Sequence, residues 1–325
     1  MSNALHHFSQ KIPTPMAALA LGLASLGWCW DNSLQLHGRL QIVAALLALC
    51  FLSLLLLKFY KNPSLFKQDL AHPIVGSVLP TAAMALMLVA AALPHSLALP
   101  LWCLAVLLHL GLLSGFVWQR LRHWQFDHLI PGWFVPPIGI VTAVVTSPLP
   151  SSHFLPSLLF WFGLAMYVLM LPVMLYRLLF AGSLPTAAQP SLAVLAAPAS
   201  LCLTGYLSFS STPAPALVLG LLVLALLMTT LIYGLLPRLL RLPFSPAFAA
   251  LTFPLVIGAT ALFKVTALLQ QWQWLELASL IHKIAYVELV IATAVCSYVA
   301  WRFCRHLYQQ LLPEQPLQQD ITKHA

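Results

Sequence analysis

The stretch PAFAALTFPLVIGATALFKVTALL, residues 246–269, decides how the rest of the chain is read. It is apolar over a length that crosses a hydrocarbon core of about 30 Å as a helix. It opens at Pro246, carries a second proline at Pro254 two turns in, and holds a single charge, Lys264. An interior proline removes one backbone hydrogen bond and bends a helix. In lipid, the carbonyl freed in this way is tolerated only where protein or water satisfies it. The stretch therefore reads as a spanning helix whose kinked part is turned toward the inside of a bundle.

The neighbouring sequence has the same character. Hydrophobic residues make up 61% of the chain and charged residues 7%, against about 25% charged in a soluble domain, too few to coat a water-soluble surface. About ten apolar segments follow one another, near 14–31, 40–60, 73–94, 98–118, 131–149, 154–176, 190–209, 213–236, 246–269 and 278–303. The first ends in Trp28-Cys29-Trp30 with no small-x-small cleavage site, so it reads as a retained helix and not as a signal peptide. The expectation is an all-α membrane protein with ten transmembrane helices. Residues 1–12 form a polar segment ahead of a transmembrane domain at 13–305, and 306–325 form a tail. Both ends are expected to be poorly ordered and too short for a regulatory domain.

Basic residues set the orientation. Lys11, Lys58, Lys61, Lys67, Arg120, Arg122, Arg177, Arg238, Arg241, Arg302, Arg305 and Lys323 all fall on one side of the alternating topology, and the other side holds only Arg39. That asymmetry places both termini in the cytoplasm of a bacterial inner membrane and pairs the spans as hairpins 1–2, 3–4, 5–6, 7–8 and 9–10. The net charge of +8 is thereby explained by topology, and no nucleic-acid partner is implied.

A rhythm of prolines runs beneath the hairpins. Odd spans open near a proline, and most carry another about two turns in: Pro73 and Pro80, Pro131 with Pro136 and Pro137, Pro190 and Pro198, Pro246 and Pro254. Even spans lack interior prolines apart from Pro172. Kinked helices alternating with straight ones suggest an inner ring of odd helices inside an outer ring of even ones. The odd spans also hold Gly22, Ser25, Gly76, Ser77, Thr81, Gly139, Thr142, Ser200, Thr204, Thr252, Gly258 and Thr260. Small residues of this kind serve close helix packing or line a narrow uncharged pore.

Three charges lie within spans: Lys264, Lys283 and Glu288. Lys283 is near a helix end and can snorkel. Glu288 reads first as a structural partner of Lys264 or Lys283, and second as a proton-coupling group. Lys264 is eleven residues after Phe253, so the two share a helix face to within about 20° and stand about 16 Å apart. A cation there would raise the local concentration of anions. The six cysteines and twelve histidines show no metal spacing, and His109, well inside a span, reads as a hydrogen-bonded packing residue. No HExxH, phosphate loop or GxSxG occurs, so neither catalysis nor a cofactor has positive support.

Five segments carry a family resemblance. They are Pro13-Thr14 with Leu21-Gly22-Leu23-Ala24; His72-Pro73 with Leu79-Pro80-Thr81 and Met84; Pro131 through Ile140 (PGWFVPPIGI); the run from Pro172 through Arg177, Leu184-Pro185-Thr186-Ala187 and Ser191 to Ala197-Pro198-Ala199; and Thr252-Phe253-Pro254. In order and spacing they resemble the tellurite-resistance/dicarboxylate transporter family. That family includes the TehA-like bacterial proteins, plant guard-cell slow anion channels, malate transporters and sulfite exporters. The family's aromatic-Gly pair ahead of Leu-Gly-Leu is replaced by Met16-Ala17-Ala18.

The resemblance implies a quasi-fivefold ring of five hairpins, inner helices lining a pore, and a homotrimer. It implies a phenylalanine plug at Phe253, with Phe248 and Phe263 as nearby rivals. Gly22, Pro80, Pro136, Pro198 and Pro254 are the expected pore-lining or kink positions, and Lys264 the anion-attracting one. The expected partners are a small inorganic or organic anion and membrane lipid. The function that follows is an anion channel or channel-like facilitator. The alternative is a coupled exporter of malate-like dicarboxylates or sulfite, including a role in tellurite resistance.

Overall fold

The computed structural model describes residues 2–311, and the tail from 312, Lys323 included, lies outside the described residues. Among the described residues every regular element is helical. A first helix, α1 (Ser2–Lys11), precedes α2 (Met16–Leu34) and α3 (Arg39–Lys61). A short α4 (Pro63–Ala71) leads to α5 (Val75–Val78) and α6 (Pro80–Ala90), then α7 (His95–Arg122). The next odd span is broken into a 3₁₀ turn (Pro131–Phe134), α8 (Val135–Ile138) and α9 (Val141–Val145), and α10 (Phe154–Phe180) follows. A 3₁₀ segment (Thr186–Ala196) runs into α11 (Ala197–Phe209), followed by α12 (Pro215–Leu240). A last 3₁₀ segment (Pro246–Leu251) runs into α13 (Thr252–Gln271), and α14 (Leu275–Leu311) closes the chain as described.

Seven helices are long and apolar enough to cross a membrane, or eight if the pair Pro63–Ala71 and Val75–Ala90, bent by 102°, is counted as one. The expected count of ten is not reached on length and hydropathy, for two local reasons. Helix α2 ends in Trp28, Trp30, Asp31 and Asn32, which dilute its apolar run. Residues 131–145 are apolar but divided, changing from 3₁₀ to α-helix between Phe134 and Val135 and interrupted again at Gly139-Ile140. The bend ahead of α5 shows that α4 is a separate helix turned away from the span it precedes.

Three further expectations differ from the fold. Residues 2–11 are helical and pack on α3 and α14, with Ser9 and Gln10 hydrogen-bonded to Asn62 at 2.9 and 3.2 Å. The boundary at 305 falls inside α14, which continues to Leu311. Pro100 and Pro237 join Pro172 as prolines inside even-span helices. Pro100 sits in the second turn and Pro237 in the last, and each leaves the carbonyl four residues earlier, of Ser96 and Tyr233, without its helical donor.

Burial separates the helices into two sets. The apolar windows of α3, α7, α10, α12 and α14 are 28–39% buried, whereas those of residues 186–209 and 246–271 are 78% buried. The exposed faces of the first set carry Leu46, Leu107, Val168, Leu227 and Val290, an apolar surface suited to lipid tails. Consecutive helices pack as α2 on α3, α6 on α7, α9 on α10, α11 on α12 and α13 on α14. Sideways contacts run from α2 to α6, α6 to α9, α9 to α11, α11 to α13, and from α13 back to α2.

Candidate functional site

The site is built where the odd spans change conformation. Residues 186–196 and 246–251 are 3₁₀ helix and convert to α-helix at Ala197-Pro198 and just ahead of Pro254. Pro80 opens α6 after a turn at Leu79 that separates it from α5. Proline is favourable at the start of an α-helix because its missing N–H would be unpaired there anyway. The breaks leave carbonyls without intrahelical donors, and side chains of the outer helix α7 and of a neighbouring inner span take them up. His109 of α7 donates from Nε2 to the Pro136 carbonyl at 2.8 Å. Trp102, also of α7, donates from Nε1 to the Ala143 carbonyl at 3.0 Å, and Trp133 to the Pro73 carbonyl at 3.2 Å. His109 is fully buried and is thus the packing residue that its isolation in the sequence suggested.

Two cavities meet along these breaks. The larger, about 870 Å³ counted out to its open mouth, is lined from all five odd segments: Pro15, Ala18 and Leu21; Val78, Thr81 and Met84; Phe134, Ile138 and Gly139; Val194 and Pro198; Ala250 and Pro254. The smaller, about 240 Å³, lies further along the same helices, between Ser25, Trp28, Leu88, Thr142, Val145, Ile257 and Thr260. Phe253 and Leu201 line both cavities and form the wall between them. No charged side chain lines either one. In the smaller cavity Thr142 Oγ1 has no hydrogen-bond partner among the described residues.

The expected site residues fall into three groups. Phe253, Pro198 and Pro254 line the larger cavity. Gly22, Pro80 and Pro136 do not: Gly22 is a contact point between helices, where an added Cβ would stand 2.2 Å from Thr252 Oγ1 and 3.2 Å from the Phe253 nitrogen. Pro80 is buried at the head of α6, and Pro136 offers its carbonyl to His109. Lys264 donates from Nζ to Ser208 Oγ at 2.8 Å, tying α13 to α11. Along α13, Phe253, Ile257, Thr260 and Lys264 recur at helical spacing, and the first three line the cavities. On α11, Leu201 and Ser208 are seven residues apart on one face. The Lys264–Ser208 bond therefore lies at the far end of the two stripes that begin at the Phe253–Leu201 wall. Phe248 is fully buried among other aromatics, and Phe263 packs on Tyr286, so neither rival borders a cavity.

Two charge assignments change. Glu288 pairs with neither Lys264 nor Lys283: it is 4% exposed, and its Oε2 has no partner among the described residues. It lies against the bare backbone of Gly258, where a Cβ would come within 2.8 Å of Oε2 and 3.6 Å of Thr229 Oγ1. The ion pair found among the described residues is Lys58–Asp69, at 2.7 Å. Lys58 is buried in the last turn of α3 and also donates to Thr14 Oγ1 at 2.7 Å, while the Thr14 hydroxyl donates to the Asp69 carboxylate. Several arginines read as topological charges also hold the chain together. Arg120 donates to the Ala71 carbonyl, and Arg177 to those of Ala181 and Gly182 at 2.8 and 3.0 Å.

Sequence reasoning missed Leu201 and the Lys58–Asp69–Thr14 cluster. Leu201 could have been found one turn after Pro198, as Ile257 follows one turn after Pro254. Asp69 could have been found as the lone acid among Lys58, Lys61 and Lys67.

Fold and site together define a multi-pass membrane protein whose inner helices enclose two cavities lined by uncharged side chains. Residues 11–304 match the SLAC1 family model, described as voltage-dependent anion channel. The chain belongs to that family of membrane anion transporters and channels. It is also similar to two uncharacterized transporters of Methanocaldococcus jannaschii. One is 27% identical over 163 residues, covering 45% of this chain and 48% of the relative; the other is 26% identical over 140 residues, covering 38% and 40%. The matches thus span about half or less of the length of these relatives.

Proposed function

We propose that this protein is an anion channel or channel-like facilitator whose pore passes between the odd spans and is closed by Phe253 with Leu201. In this reading ten spans form five hairpins in a quasi-fivefold ring, with both termini cytoplasmic, and the family resemblance suggests a homotrimer. The sideways contacts from α2 through α6, α9, α11 and α13 back to α2 support the ring. The observation that carries the gate is the double position of Phe253 and Leu201, each bordering both cavities. The uncharged lining supports weak binding, which rapid passage needs. The free Thr142 hydroxyl offers a neutral donor to an anion in transit.

The test is anion current through purified protein in liposomes or in oocytes. Phe253→Ala should raise conductance severalfold, and Leu201→Ala should raise it less, because the smaller side chain closes less of the path. Unchanged or lower current at normal surface expression would overturn the gate.

Glu288 favours a second reading, a coupled exporter of dicarboxylates or sulfite, because a buried carboxyl without a cation is costly in lipid and tends to be retained for function. Reversal potentials separate the two. Reversal at the anion equilibrium potential supports the channel, and a shift with the proton gradient supports coupling.

A further inference from the structure

A third cavity, of about 620 Å³ out to its mouth, lies apart from the proposed pore. It sits where the last turns of α10 and α12 meet the start of the 186–196 segment. Its apolar walls include Leu178, Leu192, Leu235 and Leu239, and its rim carries Arg238 and Gln189.

Arg238 and Arg241, at the end of α12, differ from most of the chain's other arginines at helix ends, and of the two only Arg238 lines this cavity. Arg120 and Arg177 are buried on carbonyls, Arg122 lies over Trp118, Arg305 over Trp301, and Arg302 over Phe244. Arg238 is exposed and makes no hydrogen bond, ion pair or ring contact with any described residue. Two carbonyl ends, which would repel an anion, border the cavity: that of α10 is taken up by Arg177 through Ala181 and Gly182, and that of α12 carries Arg238 and Arg241. The geometry points to this cavity as a binding site for one anionic phospholipid, with its phosphate on Arg238 and the upper part of an acyl chain in the leucine slot. Charge complementarity favours this occupant: an unpaired guanidinium stands at the edge of an apolar recess, on the side where most basic residues gather. Basic pockets between spanning helices at this depth hold lipid head groups, and a guanidinium fork matches a phosphate bidentately.

The proposal is tested on the full-length purified protein by native mass spectrometry, titrating phosphatidylglycerol against phosphatidylcholine with identical acyl chains. Phosphatidylglycerol should bind in preference, Arg238→Gln should weaken it about fivefold, and Arg241→Gln should not. Leu235→Trp, which fills the slot but keeps the charge, should also displace the lipid. Equal binding of the two lipids, or no change in Arg238→Gln, overturns the site. Displacement by glycerol phosphate at the lipid's own concentration would make it a free-anion site and overturn the lipid assignment. Loss of an oligomer on Arg238→Gln would assign the recess to a neighbouring copy of the chain and overturn it as well.

Discussion

Gly22 and Gly258 show how differently two glycines on inner helices are used. At Gly22 a methyl group would collide with the β-branched Thr252 and the backbone of Phe253. Thr252 is fixed there by hydrogen bonds to the Ala249 and Ala18 carbonyls, at 2.7 and 3.3 Å. At Gly258 the nearest atom is the end of the Glu288 side chain, which can swing aside. Gly22→Ala is therefore expected to cost about 1–3 kcal/mol through overpacking, and Gly258→Ala distinctly less, measured as thermal unfolding in detergent. The reverse order would mean that Glu288 is held rigidly. Lys264 is a second question at this scale. Lys264→Gln can keep the bond to Ser208 while removing the charge, so anion conductance should fall at low salt and recover as salt screens the wild-type field, over about 10 Å at 0.1 M. No salt-dependent difference between the two proteins would leave Lys264 as a helix tie only.

Among the elements, the broken span at 131–145 depends most on its neighbours. Its short pieces cannot satisfy their own carbonyls, and α7 supplies donors at two levels, His109 to Pro136 and Trp102 to Ala143. Even-span helices are thus more than a lipid-facing jacket, since they complete the backbone of the inner helices. His109→Phe keeps a flat ring but removes the donor. It should destabilise the protein by about 1–3 kcal/mol, the cost of an orphaned buried carbonyl, and His109→Gln should recover part of that loss. Equal stability of all three proteins in a thermal or denaturant series would show that the carbonyl finds another partner. That most odd spans are interrupted while the even ones run on as single long helices was legible in the sequence from Pro80, Pro136, Pro198 and Pro254. The 3₁₀ character of 186–196 and 246–251 was not, because an i→i+3 bond and an i→i+4 bond suit the same apolar residues and differ only in how tightly neighbours press on the turn.

At the scale of the whole molecule, one clasp joins pieces distant in sequence. Thr14 before α2, Lys58 at the end of α3 and Asp69 on α4 converge in a single hydrogen-bonded cluster. Removing one partner leaves a buried charge uncompensated. Asp69→Asn should cost about 3 kcal/mol, and Lys58→Met combined with Asp69→Asn should recover most of it, read as a double-mutant cycle on unfolding. Additive losses would show that the pair is not coupled.

The sequence by itself determined that the chain spans a membrane as helices, that prolines recur near the start of the odd spans, and that Phe253 stands directly before one of them, Pro254. Hydropathy, charge placement and proline chemistry act locally, so a linear string carries them in full. Only the tertiary structure decided that Gly22 is a contact and not a lining residue, that Glu288 has no cation, that Lys58 is buried against Asp69, and that Leu201 stands with Phe253 between two cavities. Those facts depend on which helix faces meet, and helical periodicity tells which residues share a face without telling what that face touches.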